Sequence, residues 1–131
     1  MKSNYLGLLG LARRAGLLEA GDEAVRAALT AKKARVVLIA SDASERTGST
    51  FGFIAESVNI PVIHVDETRE ELGDALGRRP CATVCVCDVG LAASIVKKLS
   101  EYNEEAKNVL PAISARAEKI AARRNRTKRK S

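Results

Sequence analysis

The run Arg35-Val36-Val37-Leu38-Ile39-Ala40 restricts the fold more than any other stretch of the chain. From Val36 to Ala40 it is apolar without interruption and only as long as a strand. A half-exposed strand alternates apolar and polar residues, so an unbroken run marks a strand covered on both faces, as in sheets flanked by helices. Pro61–Val65 (PVIHV) and Thr83–Cys87 (TVCVC) read as two further central strands. Leu17–Ala20 is long enough for a short one. Helical patterns fill the intervals. The expectation is an α/β chain, a three-layer α/β/α sandwich on a mixed, mostly four-stranded sheet, with 36–40, 61–65 and 83–87 as buried neighbours.

Helix ends are marked by their capping residues. Ser3 or Asn4 caps a first helix from Asn4 to Ala15, with Tyr5, Leu8, Leu11, Ala12 and Ala15 as its apolar stripe and Gly16 as its C-cap. Gly7 and Gly10 mark close packing against a neighbour. Ser41-Asp42-Ala43-Ser44 leads into a helix from Ser44 to Val58 that buries Phe51, Ile54, Ala55 and Val58. Thr68 and Glu71 have capping-box spacing, and that helix stops at Gly77. Asp88 starts the turn into a helix over 90–102. Pro111 separates the core from the tail, so residues 112–131 are expected to be removable without loss of the fold. Ala112 to Arg124 has a thin apolar stripe of Ile113, Ala117, Ile120 and Ala121, and the last seven residues are too polar to pack. The division expected is a domain over 1–102 and a basic extension over 103–131.

Charge is concentrated at the C-terminus. The chain carries a formal +6, yet residues 116–131 hold eight basic residues against the single acid Glu118. That segment is +7 and the remainder −1. A basic tail attracts nucleic acid or an anionic membrane without choosing among them. No apolar run reaches the roughly 20 residues of a membrane span, and no secretory signal opens the chain, so the cytoplasm is expected. Cys81, Cys85 and Cys87 are odd in number and clustered, a poor disulfide framework, and their spacing does not suit zinc. Cys85 and Cys87 read as small apolar residues on one face of a strand, and His64 as a packed or edge residue of its strand. No phosphate loop, metal cluster or nucleophile–base arrangement stands out, so no cofactor, metal or catalytic residue is expected.

Gly21-Asp22-Glu23-Ala24-Val25-Arg26 carries the chemistry that remains. Ala24, Val25, Ala28 and Leu29 form one face of a helix opening here, with Glu23, Arg26 and Thr30 opposite and Asp22 at the edge. An acid, an acceptor and a guanidinium thus meet at a helix N-terminus, where free N–H groups and the dipole favour phosphate. The plainer reading is an i,i+4 pair of Asp22 with Arg26 on a solvated face, worth about 0.2–0.5 kcal/mol.

Leu8-Leu9-Gly10-Leu11-Ala12-Arg13-Arg14-Ala15-Gly16-Leu17-Leu18 resembles the opening of bacterial YlxQ-type members of the ribosomal protein L7Ae family, whose typical members bind kink-turn RNA. The likeness runs through Gly21-Asp22-Glu23, Val36–Ala40 with Ser41–Ser44, Pro61-Val62, Glu71-Leu72-Gly73 with Gly77, and Asp88 with Gly90. It spans about residues 3–100. The family's RNA-contacting pattern, Gly-x-Asn-Glu-x-x-Lys, corresponds to Ala20–Arg26. Glu23 is retained, Arg26 replaces lysine and adds a fork suited to guanine, and Asp22 replaces asparagine. An ionised Asp22 accepts hydrogen bonds only and repels phosphate. The family's second contact loop corresponds to Gly77-Arg78-Arg79-Pro80, one residue short, with Arg78 where an apolar side chain is usual. The loop at Ser44 is a third contact.

The resemblance implies a non-enzymatic, monomeric RNA-binding protein, associated with the ribosome or translation. Its partner would be ribosomal RNA or a structured messenger leader, or else the ribosome itself or translation factors. The implied contacts are Gly21, Asp22, Glu23, Arg26, Ser44, Arg78 and Arg79, and the tail adds Arg123, Arg124 and Arg126. Two alternatives stand beside this: a protein-interaction module of the same fold, favoured by Asp22 and the near-neutral core, and the RNA-recognition domain of an enzyme.

Overall fold

The structure, a computed structural model, describes residues 5–130, with side chains through 126. Ser3 and Asn4, the expected caps of the first helix, lie outside the described residues. The elements in chain order are α1 (Tyr5–Arg14), β1 (Leu18–Ala20), α2 (Asp22–Thr30), β2 (Val36–Ile39), α3 (Glu45–Ser57), β3 (Val62–His64), α4 (Arg69–Leu76), β4 (Thr83–Val86), α5 (Val89–Leu99) and α6 (Glu104–Lys130). The strands form one mixed sheet in the order β1-β4-β2-β3; β2 and β3 are parallel and the other pairs antiparallel.

Side-chain alternation sorts the core into two layers. Val36, Leu38, Val84 and Val86 face α1, α4, α5 and the first half of α6, while Val37, Ile39 and Cys85 face α2 and α3. Each fully buried Val, Leu or Ile contributes about 1.5–3 kcal/mol. Caps fall where the sequence places them. Ser44, Thr68 and Asp88 each accept a first-turn N–H, Thr68 and Glu71 complete a capping box, and Gly77 closes α4 at φ 68°.

The 61–65 run is a correction. It lies at the edge of the sheet, not in its middle, because β4 enters on the other side of β2 and leaves the outer edge of β3 uncovered by any strand. Val62 is half-buried and His64 exposed. The first turn of α6 takes the place of a further strand. The Glu105 carboxylate accepts the His64 backbone N–H at 2.8 Å and lies 3.0 Å from its ring Nδ1. Asn103 Nδ2 donates to the His64 carbonyl at 2.8 Å, and Asn103 Oδ1 caps α6 by accepting the Ala106 N–H at 2.9 Å. The His64 backbone groups, otherwise open to pairing with another chain, are thereby occupied.

Two further expectations shift. In α1 the buried stripe is Tyr5, Leu9 and Ala12, and Leu11 is 46% exposed. Leucines occupy nearly the whole circumference of this helix, so sequence does not orient it. Tyr5, whose hydroxyl donates to Glu67, and Gly10, close to the Ala75 carbonyl, set the rotation. Pro111 does not separate core from tail, because it sits inside α6. Proline within a helix costs about 3 kcal/mol and frees the carbonyl four residues back. Pro111 faces solvent, while Ala106 and Ile113 are buried and Val109, Leu110, Ala117 and Ile120 pack on the same core. That continuous stripe outweighs the local penalty.

Residues 112–131 therefore include core, and their removal is expected to destabilise the fold. A chain ending at residue 121 should keep its stability within about 0.5 kcal/mol, since the described residues beyond it are exposed. One ending at 111 loses Ile113 and should lose about 2 kcal/mol or more. Urea unfolding of the two truncations checks this, and equal stability would show that the stripe does not pack.

Candidate nucleic-acid interface

The turn before α2 is built on β4. Gly21, at φ 97° and ψ 151°, holds a conformation that glycine alone adopts readily, and its N–H donates to the Thr83 carbonyl at 2.9 Å. Thr83 faces the α2 side of the sheet and is fully buried. Its hydroxyl donates to Asp22 Oδ1 at 2.8 Å. Asp22 is thus anchored to the sheet, and among the described residues no ion pair joins it to Arg26. Arg26 instead lies over the Phe51 ring of α3, 5.6 Å from its centroid, a cation–π contact. Glu23 and Arg26 are both exposed. No side chain caps α2, because its N-cap is Gly21, so the first-turn N–H groups remain directed outward.

The loop from Gly77 to Pro80 lies against this turn. Arg78 Nη1 donates to the Ala20 carbonyl at 2.6 Å and Nε to the Arg79 carbonyl at 3.2 Å. A Cβ on Gly21 would stand 3.5 Å from the Arg78 guanidinium. Arg78 is therefore half-buried and partly spent on holding the loop to the turn, whereas Arg79 and Pro80 are exposed. Gly73 makes the loop's path possible. A Cβ there would come within 2.7 Å of the Arg79 carbonyl oxygen and 2.9 Å of that of Arg78.

Ser44 is at the same end of the sheet, since it follows β2 and Ile39 pairs with Thr83. Its hydroxyl accepts the Thr47 N–H at 3.1 Å and donates to Thr47 Oγ1 at 3.0 Å. Asp42 fixes this loop to α4: Oδ1 accepts the Arg69 N–H at 2.8 Å and Oδ2 lies 3.5 Å from its guanidinium. The Arg69 backbone donor holds the Asp42 carboxyl below its ordinary range. Gly21, Asp22, Glu23, Arg26, Ser44, Arg78 and Arg79 thus share one end of the molecule.

Arg123, Arg124 and Arg126 do not join them. Helix α6 starts beside His64 at the C-terminal end of β3, and reaches Ile60 and Pro61, at its N-terminal end, around Ile113 and Arg116. The exposed arginines continue past the opposite end of the sheet, about 12 Å beyond Arg116 for each eight residues of helix.

The chain as a whole is similar to known proteins. The family described as "Ribosomal protein L7Ae/L30e/S12e/Gadd45 family" matches residues 3–96. The chain belongs to this family. A relative from Bacillus subtilis (strain 168), "RNA-binding protein YlxQ", is 32% identical over 95 residues, 72% of this chain and 94% of the relative. A solved structure from Bacillus halodurans C, of a protein with unknown function, is 32% identical with a TM-score of 0.70, covering 75% of this chain and 98% of its own. Helix α6 lies beyond the family match.

Thr83 and Phe51 are members of the site that sequence reasoning missed. Thr83 is detectable in principle, as the one polar residue at the start of an apolar strand on the face shared with α2. Phe51 as a platform for Arg26 depends on how α2 and α3 pack.

Gly73→Ala is expected to cost about 1–3 kcal/mol, because backbone carbonyls must move. Gly52→Ala, in α3 with nothing within 4 Å of the added Cβ, should be neutral or stabilising by up to about 1 kcal/mol. Thermal melts of the pair check the difference. For Asp42 the folded carboxyl titrates below the unfolded one, so its stabilisation is present above the unfolded pKa and is lost as pH falls through the folded value. Asp42→Ala should be less stable than wild type at neutral pH, with the gap closing below about pH 4. A gap independent of pH would show that the ionised carboxylate is not responsible.

Proposed function

We propose that this protein binds structured RNA without catalysing a reaction, through the end of the sheet where α2 begins. The observation that carries the reading is the uncapped N-terminus of α2, flanked by exposed Glu23 and Arg26 and by the Arg78–Arg79 loop held on Gly73. Outward N–H groups can donate to phosphate oxygens, and Glu23 and Arg26 supply an acceptor and a guanidinium fork for base edges. The Bacillus subtilis relative's description as RNA-binding supports the same reading. The RNA class is a kink-turn-like element with tandem G·A pairs, in ribosomal RNA or a messenger leader, which makes the protein a cytoplasmic, translation-associated monomer.

Division of labour follows from the geometry. Residues 1–102 would select the RNA, with Ser44 as a peripheral contact. In the extension over 103–131, Arg123, Arg124 and Arg126 would add salt-dependent attraction from the far end of the molecule. A short RNA turn seated at α2 is out of their reach, so they would engage a different segment of a larger RNA. Asp22 and the −1 charge of residues 1–115 favour a second reading, a protein-binding module of the same fold.

Titration of a kinked RNA and a matched RNA lacking the G·A pairs, at one salt concentration, separates the two. Glu23→Ala and Arg26→Ala should each cost about 1–3 kcal/mol for the kinked RNA and little for the other. Asp22→Asn should tighten binding: its carbonyl oxygen still accepts from Thr83, its amide adds a donor, and a negative charge is gone. No selectivity in wild type and no change in the variants would favour the protein-binding reading.

A further inference from the structure

Away from α2, helix α6 and the edge of β3 enclose a groove. Its volume is about 640 Å³, within the range of about 300–1,000 Å³ typical of small-molecule sites. One wall is the exposed edge of β3 with Ile60, Pro61 and Val62; the other is α6 with Val109 and Ile113. The α6 wall lies outside the family match to residues 3–96.

The groove's polar lining is Arg35, Glu56, Asn59, Asn108, Arg116 and His64, whose ring is already held by Glu105. Arg35, half-buried, and Arg116, exposed, both line it, and neither has a carboxylate partner among the described residues. Two guanidiniums lining one groove beside apolar walls can hold a phosphate there. Asn59 and Asn108 also line it and carry amides able to pair with base edges. Glu56, on the α3 side, offers an acceptor for a base amino group and disfavours a second phosphate. From Arg116 onward the helix is a +7 segment that concentrates polyanions at the groove's mouth.

We propose that this groove binds a nucleoside monophosphate unit, with the phosphate on Arg35 and Arg116 and the base between β3 and α6. The unit is either an unpaired nucleotide of an RNA drawn in by the tail or a free nucleotide. The RNA source rests on the proposed RNA-binding function; the groove chemistry does not. An acidic peptide is the competing occupant, since its carboxylates suit the arginines and its backbone suits the amides; the +7 segment beyond Arg116 favours the nucleic-acid polyanion over it.

The test follows methyl resonances of Ile60, Val62 and Ile113 in the full chain. Three probes are added separately: 5′-AMP, an unstructured twelve-nucleotide single-stranded RNA, and a peptide of alternating Leu and Glu. Shifts with the RNA assign the site to RNA, and shifts with AMP but not RNA assign it to a free nucleotide. Shifts with the peptide alone, or with none of the three, overturn the proposal. Arg35→Gln with Arg116→Gln should weaken the bound nucleic-acid probe about tenfold. If that probe is the RNA, its salt slope should fall by about 0.7, the share of a single phosphate on a single strand. Val109→Trp should block the groove; the arginine variants, which leave the apolar stripe intact, decide the matter if that bulky change disturbs folding. Unchanged affinity in the arginine variants also overturns it. Glu23→Ala and Arg26→Ala should leave the groove shifts untouched, so failure at α2 and failure here are read separately.

Discussion

Strand β4 pairs with β1 on one edge and β2 on the other, and that double pairing fixes which side chains face α2. With Thr83 opposite Ile39 and Val84 opposite both Ala20 and Leu38, odd positions of β4 point to α2 and α3 and even ones to α1 and α5. The same register brings the Thr83 carbonyl to the Gly21 N–H and its hydroxyl to Asp22. A shift of one residue would put a valine there and turn the threonine into the other core layer. The start of α2 is therefore hung from a strand buried at every position. A buried hydroxyl with one well-placed acceptor resists displacement, because leaving it unpaired costs about 1–3 kcal/mol.

Gly73 and Arg78 do for the neighbouring loop what Thr83 does for the turn. The glycine lets two carbonyls lie on α4, and the arginine reaches across to the Ala20 carbonyl. Arg78 is thus largely a structural residue, and Arg79 is the freer cation of the pair. The two devices join segments about sixty residues apart in sequence into one surface, rigid beneath and exposed above. Such a surface needs little reorganisation to meet a rigid partner.

Helix α6 works differently. Its first turn satisfies the edge of β3 through Glu105 and Asn103, its middle contributes Ala106 and Ile113 to the core, and its end carries charge. One helix thus protects an edge, fills a core layer and carries cations to the end of the molecule remote from α2. The groove between β3 and α6 follows from this path, since a helix crossing a strand edge touches it at one end and diverges.

The chain's local order was legible without coordinates. The runs at 36–40 and 83–87, the capping residues Ser44, Thr68 and Asp88, and the terminating Gly16 and Gly77 are set by interactions within a few residues. So is the exposed face of Glu23 and Arg26, which follows from helical periodicity alone. Tertiary structure decided what periodicity leaves degenerate. Leucines surround α1, so only Tyr5 and Gly10 meeting their neighbours could choose Leu9 over Leu11. The run at 61–65 looks central because apolar content does not reveal strand order, and order depends on which side of β2 the fourth strand enters. Pro111 reads as a break because its cost is local, whereas the compensating burial of Ala106 and Ile113 comes from α5 and the sheet. The partners of Asp22, Arg26 and Arg78 lie on other elements, and contacts of that range are fixed by packing rather than by spacing in the sequence.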